Sequence, residues 1–317
     1  MASAASVSRV YFSYTKPHMW SVAVIFLAGV AIQAANLIAP LYLKQMFNLL
    51  AVGDKTPLVA QALVGLLAVV AFAWFSERIF RRIQDIFTVT VQSRVMAQLF
   101  DASFDYLMGH SYNFFISNFT GSLTHRVSKF ARAYEVLFDT IMISFVPTGI
   151  FVIGAVGVLY ARSHVLGISL GLWCIAFVWF QMYVARLRKP ARAARSEADT
   201  KITATLADAM TNQSTVMLFS GGVFEWKRFS AVVEHWRKAT LRNWMIDGWF
   251  WGAVGLFILV IQVGLYYAAI QLWQQSILTV GDFVLIQAYL MTVFERLVSI
   301  NRELRRFHDV YADASEM

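Results

Sequence analysis

A single cysteine, Cys174, stands in 317 residues and lies inside an apolar run, which excludes an intramolecular disulfide and a cysteine-based zinc site. Charge is scarce as well: Asp, Glu, Lys and Arg make up 15% of the chain, against 58% hydrophobic residues and a mean hydropathy of +0.57. An ordinary soluble domain is about 25% charged, so water is not expected to be the main solvent here. The six histidines are dispersed, none paired at helical spacing beside a carboxylate, and no metal site is expected. No G-x-x-x-x-G-K-[ST] loop and no Ser, His and Asp arrangement occurs, so no catalytic residue is expected in this chain. The first twenty residues lack a short apolar core followed by small residues, which argues against a removable signal peptide and for a first span that stays as an anchor.

What the chain does have is long apolar runs. Six are long enough to cross about 30 Å of hydrocarbon: residues 20–50, 58–75, 137–160, 165–184, 249–272 and 277–298. The first contains Pro40 and the polar Gln33, Asn36 and Lys44, and Gly53 and Asp54 make the turn after it. The second does not end as a helix at Phe75. Apolar residues recur at Ile79, Ile83, Ile86, Phe87, Val91, Val95, Leu99, Phe104 and Leu107, the spacing of one helical face. A helix continuing to residue 107 would measure about 75 Å, and so would project well beyond a bilayer. A second excursion follows the fourth run, helical and basic, with Pro190 its one evident break.

The net charge of +8 is explained by where the basic residues fall. The short connections hold only Lys55 and Arg162, whereas Arg and Lys crowd the long excursions and the chain ends. By the positive-inside rule the excursions and both termini are cytoplasmic, including an N-terminal segment 1–19. The positive charge then faces an anionic leaflet, and nucleic acid is not an expected partner. The triplets beginning at Asn118 and Asn212 are chance glycosylation-like matches on the cytoplasmic side. The fold class is therefore an all-α membrane bundle of six transmembrane helices with long cytoplasmic extensions, placed in the plasma (inner) membrane.

Three pairs of spans with two long intracellular hairpins resemble the transmembrane domain of ABC exporters, and the resemblance covers essentially the whole chain. In the first hairpin, Asn113, Phe114 and Phe115 followed by Gly121-Ser122-Leu123-Thr124-His125-Arg126-Val127 are similar to the family's first intracellular loop. In the second, Ala207 to Asn212 leading into Ser214 to Phe219 looks like the segment before the second coupling helix, on which Val223, Phe224, Glu225 and Trp226 would lie. Residues 312–317 resemble the end of the membrane domain just before a nucleotide-binding domain. The family pattern departs at Ser128 and Lys129, where an acidic residue often follows, and at Gln213.

This resemblance implies docking of a nucleotide-binding domain through Phe114, Phe115, Phe119, Val223, Phe224, Glu225 and Trp226, with ATP and Mg carried by that absent domain. It implies a partner bundle as well, a second copy or a related half-transporter, and alternating access as the mechanism. Those aromatics could equally pack the ends of the long helices. Polar groups inside the runs, Gln33, Asn36, Lys44, Gln262 and Gln287, are expensive against lipid; they either line a translocation pathway or hydrogen-bond between helices. Lys44 is the foremost pathway residue. An ATP-independent six-span carrier or channel would instead need an ion-coupling carboxylate deep in a span, and a membrane scaffold would need no polar pathway.

Overall fold

The computed structural model of the chain describes residues 4–52, 55–117 and 120–315, so Gly53, Asp54 and Phe119 lie outside the described residues. Ten α-helices account for nearly all of these, with no strand among the described residues. They are α1 (Ala4–Thr15), α2 (Met19–Val52), α3 (Pro57–Met108), α4 (Tyr112–Ser117) and α5 (Thr120–Asp139), then α6 (Val146–Arg162), α7 (His164–Thr211), α8 (Gln213–Leu218), α9 (Gly222–Gln274) and α10 (Val280–Ala314). Six helical stretches are long and apolar enough to cross a membrane, from Val7–Val52 through Val280–Ala314. The chain is an all-α, multi-pass membrane protein.

Local chemistry sets the helix ends. Thr56 caps α3 by accepting from the Val59 N–H at 3.4 Å, and Pro57 occupies the first turn, where no N–H is needed. The 52 residues of α3 run without interruption, which at 1.5 Å each is about 78 Å. Thr279 and Asp282 form a reciprocal capping box at the start of α10. Ser220 takes a left-handed φ of 52° between α8 and α9, and Ser276 one of 60° before α10.

Three features depart from the sequence reading. Pro190 does not break the helix after the fourth span: α7 runs through it. The helix loses one backbone hydrogen bond there, and Arg188, two residues earlier, is ion-paired across to Asp247 on α9. Pro40 is likewise internal to α2. The third span is not a plain helix either, since α5 and α6 are joined by a π-helical turn, Thr140–Phe145. Pro147 follows that turn, its ring crowding the carbonyl four residues back, and the Val146 N–H bonds Ile141 five residues back. Finally, the inward face of α3 is more polar than its apolar periodicity suggests. Gln84, Thr88 and Gln92 are buried beside Val91, Val95 and Leu99, while Ile79, Ile86 and Phe104 are exposed.

The chain divides into two compact units, residues 1–172 with 264–317, and residues 173–263. In the first, α1 is a feature the sequence reading left as an undefined segment. Val7 and Tyr11 are buried in a cluster with Val95, Leu99, Phe130 and Tyr134, and the Tyr11 hydroxyl donates to the Phe130 carbonyl at 2.7 Å. In the second, α7 and α9 pair through aromatics: the Trp173 Nε1–H donates to the Phe257 carbonyl at 3.0 Å, and Phe180 stacks on Phe257 at 4.8 Å.

One close approach fixes the first unit. A Cβ on Gly281 would sit 2.1 Å from the Lys44 carbonyl oxygen and 2.7 Å from Asn48 Oδ1. Gly281→Ala is therefore expected to cost about 2 kcal/mol, measured as a fall in detergent unfolding temperature; an unchanged temperature would contradict the tight α2 and α10 contact.

Candidate functional site

The polar groups of the first span acquire their partners from α10. Gln33 Oε1 accepts from Arg296 Nη2 at 2.6 Å, and the Leu37 carbonyl accepts from the Tyr289 hydroxyl at 2.7 Å. Lys44 Nζ lies 2.6 Å from Asp282 Oδ1, and Asn48 Oδ1 accepts from the Gly281 N–H at 2.7 Å. Positions 33, 37, 44 and 48 recur at four and seven residues, so they share one face of α2. Their partners descend through 296, 289, 282 and 281 on α10. The two helices thus meet as an antiparallel polar ladder over fifteen residues, about 22 Å of helix.

The rungs differ electrostatically. Side chains of Lys44 and Asp282 are 6% and 4% exposed, and Arg162 Nε stands 3.9 Å from the same carboxylate oxygen. Asp282 also accepts from the Thr279 N–H at 2.9 Å and its hydroxyl at 2.8 Å, so two cations and a helix start converge on one carboxylate. At the other end, Arg296 Nη1 donates to the Pro147 carbonyl at 3.1 Å and its guanidinium lies 4.5 Å over the Phe151 ring. Those partners, with Gln33, are all uncharged. The ladder therefore carries excess positive charge inside an apolar bundle, where ionisable groups are costly and mark function.

The other polar residues singled out from sequence are not rungs. Asn36 is half-buried one position before Leu37. Gln287 accepts from the Tyr266 hydroxyl and so ties α10 to the end of α9, beside Phe283 stacked on Tyr266 at 6.4 Å. Gln262 is half-buried in the second unit.

The turns of the long hairpins carry short helices. Phe114 and Phe115 lie on α4, half-buried, with Phe114 4.3 Å from the His110 ring and 5.6 Å from Phe115. Part of that aromatic surface is spent on the end of α3. In the second hairpin the short helix is α8, and Val223, Phe224, Glu225 and Trp226 occupy the first turn of the long α9 instead. The chain turns at Ser220, Gly221 and Gly222, before those residues, which is why they start a new helix. Glu225 is used locally, 3.5 Å from Arg228, which also stands 3.6 Å from Asp208 and so bridges the two arms. Around this turn Met217, Leu218, Phe219, Val223, Phe224 and Trp226 are each 67–81% exposed. Water does not favour an apolar patch of that kind, and such patches mark docking surfaces.

A family model described as the ABC transporter transmembrane region matches residues 22–297. The chain belongs to that family. Over 288 residues it is 24% identical to an ATM1-type heavy metal exporter of Novosphingobium aromaticivorans, covering 90% of this chain and 47% of that protein. Over 255 residues it is 24% identical to an ATP-dependent lipid A-core flippase of Methylobacillus flagellatus, covering 79% of this chain and 42% of the relative. The fold matches that of a bacterial Atm1-family ABC exporter with ATP bound, at a TM-score of 0.70 and 21% identity, over 94% of this chain and 52% of the other. This ABC transporter transmembrane region thus spans about half the length of the relatives it matches.

Within this ABC transporter region, Asp282, Arg296, Asn48 and Tyr289 complete the ladder and were not among the polar residues noted from sequence. Asp282 had a legible signal, because Thr279-Val280-Gly281-Asp282 is a capping-box pattern at the start of a span. Arg296 had another, a basic residue inside the sixth apolar run.

Proposed function

We propose that this chain is the membrane-spanning part of an ATP-driven exporter. Two six-helix bundles pair, and nucleotide-binding domains bearing ATP and Mg dock on the hairpin turns at α4 and at α8 with the start of α9. Closure of those domains tilts the long helices, so that the cavity opens first to one side and then to the other. Both termini and both hairpin turns lie in the cytoplasm, on the side favoured by the basic residues.

The observation that carries this reading is the exposed apolar turn from Met217 to Trp226. It lies about 40 Å of helix beyond the apolar run ending at Val184, too far to rest in lipid, and so requires a protein partner. An ATP-independent carrier would need a free carboxylate within a span. Asp282 is buried in the sixth span, but Lys44 and Thr279 hold it. A scaffold would have no use for a four-rung polar ladder.

Phe224→Ala with Trp226→Ala tests the docking role in the chain assembled with its nucleotide-binding domains. Both side chains are exposed, so unfolding temperature is expected to hold, while substrate-stimulated ATP hydrolysis falls about tenfold. Full stimulation in the double variant would contradict docking at this turn.

A further inference from the structure

A separate hollow in the first unit is unrelated to the ladder. A cavity of about 270 Å³ lies between α1, the start of α2, the α5 to α6 junction and the end of α10. At one end it is walled by Met19, Val22 and Ile141, at or near the start of the apolar runs 20–50 and 137–160. At the other end stand Ser8, Tyr11 and Thr15, with the Tyr11 hydroxyl bonded to the Phe130 carbonyl and the Thr15 hydroxyl to the Tyr11 carbonyl. Phe307 and Tyr311, stacked at 5.9 Å, close one side. The wall facing outward is open, with Phe12 60% and Met19 45% exposed.

The α1 segment divides its surface three ways. Val7, Tyr11 and Tyr14 turn toward the protein, and positions 8, 11, 12, 15 and 19 face the cavity at helical spacing. Arg9 follows Ser8 and Lys16 follows Thr15; both are exposed, and each lies about 100° round the helix from a cavity-lining neighbour. Trp20, 80% exposed, stands at the start of the first apolar run, the position of an interfacial aromatic.

We propose that this cavity holds one acyl chain of an anionic phospholipid from the surrounding bilayer, with the headgroup phosphate on Arg9 and Lys16. Apolar walls near the start of the spans and two cations on the adjoining flank match the order of groups along such a lipid. The open outer wall at Phe12 and Met19 lets the acyl chain lie partly in the cavity and partly against the bilayer. Charge decides against a second copy of this chain, since a symmetric contact would set two pairs of Arg9 and Lys16 against each other.

Native mass spectrometry of the chain released from nanodiscs of equal phosphatidylglycerol and phosphatidylcholine reads this directly. The expected result is one retained phosphatidylglycerol per chain, favoured about tenfold over phosphatidylcholine. R9Q with K16Q should lose most of that preference with helix content by circular dichroism unchanged, because both side chains are exposed. Ser8→Phe should fill the cavity and lower retention of both lipids. Equal retention of the two lipids by the wild type, or an unchanged preference in R9Q with K16Q, would overturn the proposal.

Discussion

Asp282→Ala is expected to lower the stability of the bundle by about 3–5 kcal/mol, the cost of leaving a buried cation without its partner. Lys44 is 6% exposed and loses its counter-ion with the carboxylate, and Arg162, 3.9 Å from the same oxygen, adds like charge. Loss of the capping box at Thr279 adds to the effect. Lys44→Met should be less damaging, because Arg162 and the Thr279 cap still face the carboxylate. Removing both charges at once is a different experiment. Lys44→Met with Asp282→Asn keeps an oxygen for the Thr279 cap and leaves no buried charge at this rung, so it should fall within about 1–2 kcal/mol of the wild type. A double-mutant cycle on detergent unfolding measures the coupling. Additive losses would show that the two side chains act separately, against the geometry of the ladder.

The second large effect is expected in the α7 and α9 pair. Arg188, with its side chain 7% exposed, is ion-paired with Asp247 and lies 4.4 Å over the Phe250 ring. Asn243 Nδ2 donates to the other Asp247 oxygen at 3.2 Å, and Arg192 stands 3.9 Å from the shared one. Asp247→Ala removes the anion that two guanidinium groups share and is expected to cost about 3–4 kcal/mol. Arg188 also fixes α7 one half-turn before Pro190, so the loss should be local. Hydrogen exchange of amides in residues 186–194 should rise before the rest of the chain responds. Uniform exchange along α7 in the variant would contradict this role.

Architecture was legible in the sequence because a membrane span announces itself by length and apolarity, without reference to any neighbour. The ends of α2 and α3 and the turn between α9 and α10 followed from apolar runs, helical spacing and turn residues, whereas the end of α7 and the start of α9 did not. The helical character of residues 4–15 was not read, although Val7, Tyr11 and Tyr14 have the spacing of one face. Pairing across helices was legible only in part. Gln33 and Lys44 were conspicuous as polar groups in an apolar run, but Leu37 and Gly281 act through backbone atoms and leave no side-chain signal. Pro190 shows the limit of local rules, since a cross-helix anchor can hold a helix through a residue that would end an isolated one. The position of Val223 to Trp226 turned on where the chain reverses, and Ser220 marks that point through its backbone conformation rather than its side chain.

Alternating access driven by ATP is tested most directly by spin-label distances between the two bundles in lipid nanodiscs, with nucleotide-binding domains present. Leu58, at the start of α3, and Asp105, near its far end, are exposed and lie about 70 Å apart along one continuous helix. On adding ATP, the distance between the two Asp105 labels should shorten and that between the two Leu58 labels should lengthen. Distances that are the same with and without ATP at both positions would contradict the account.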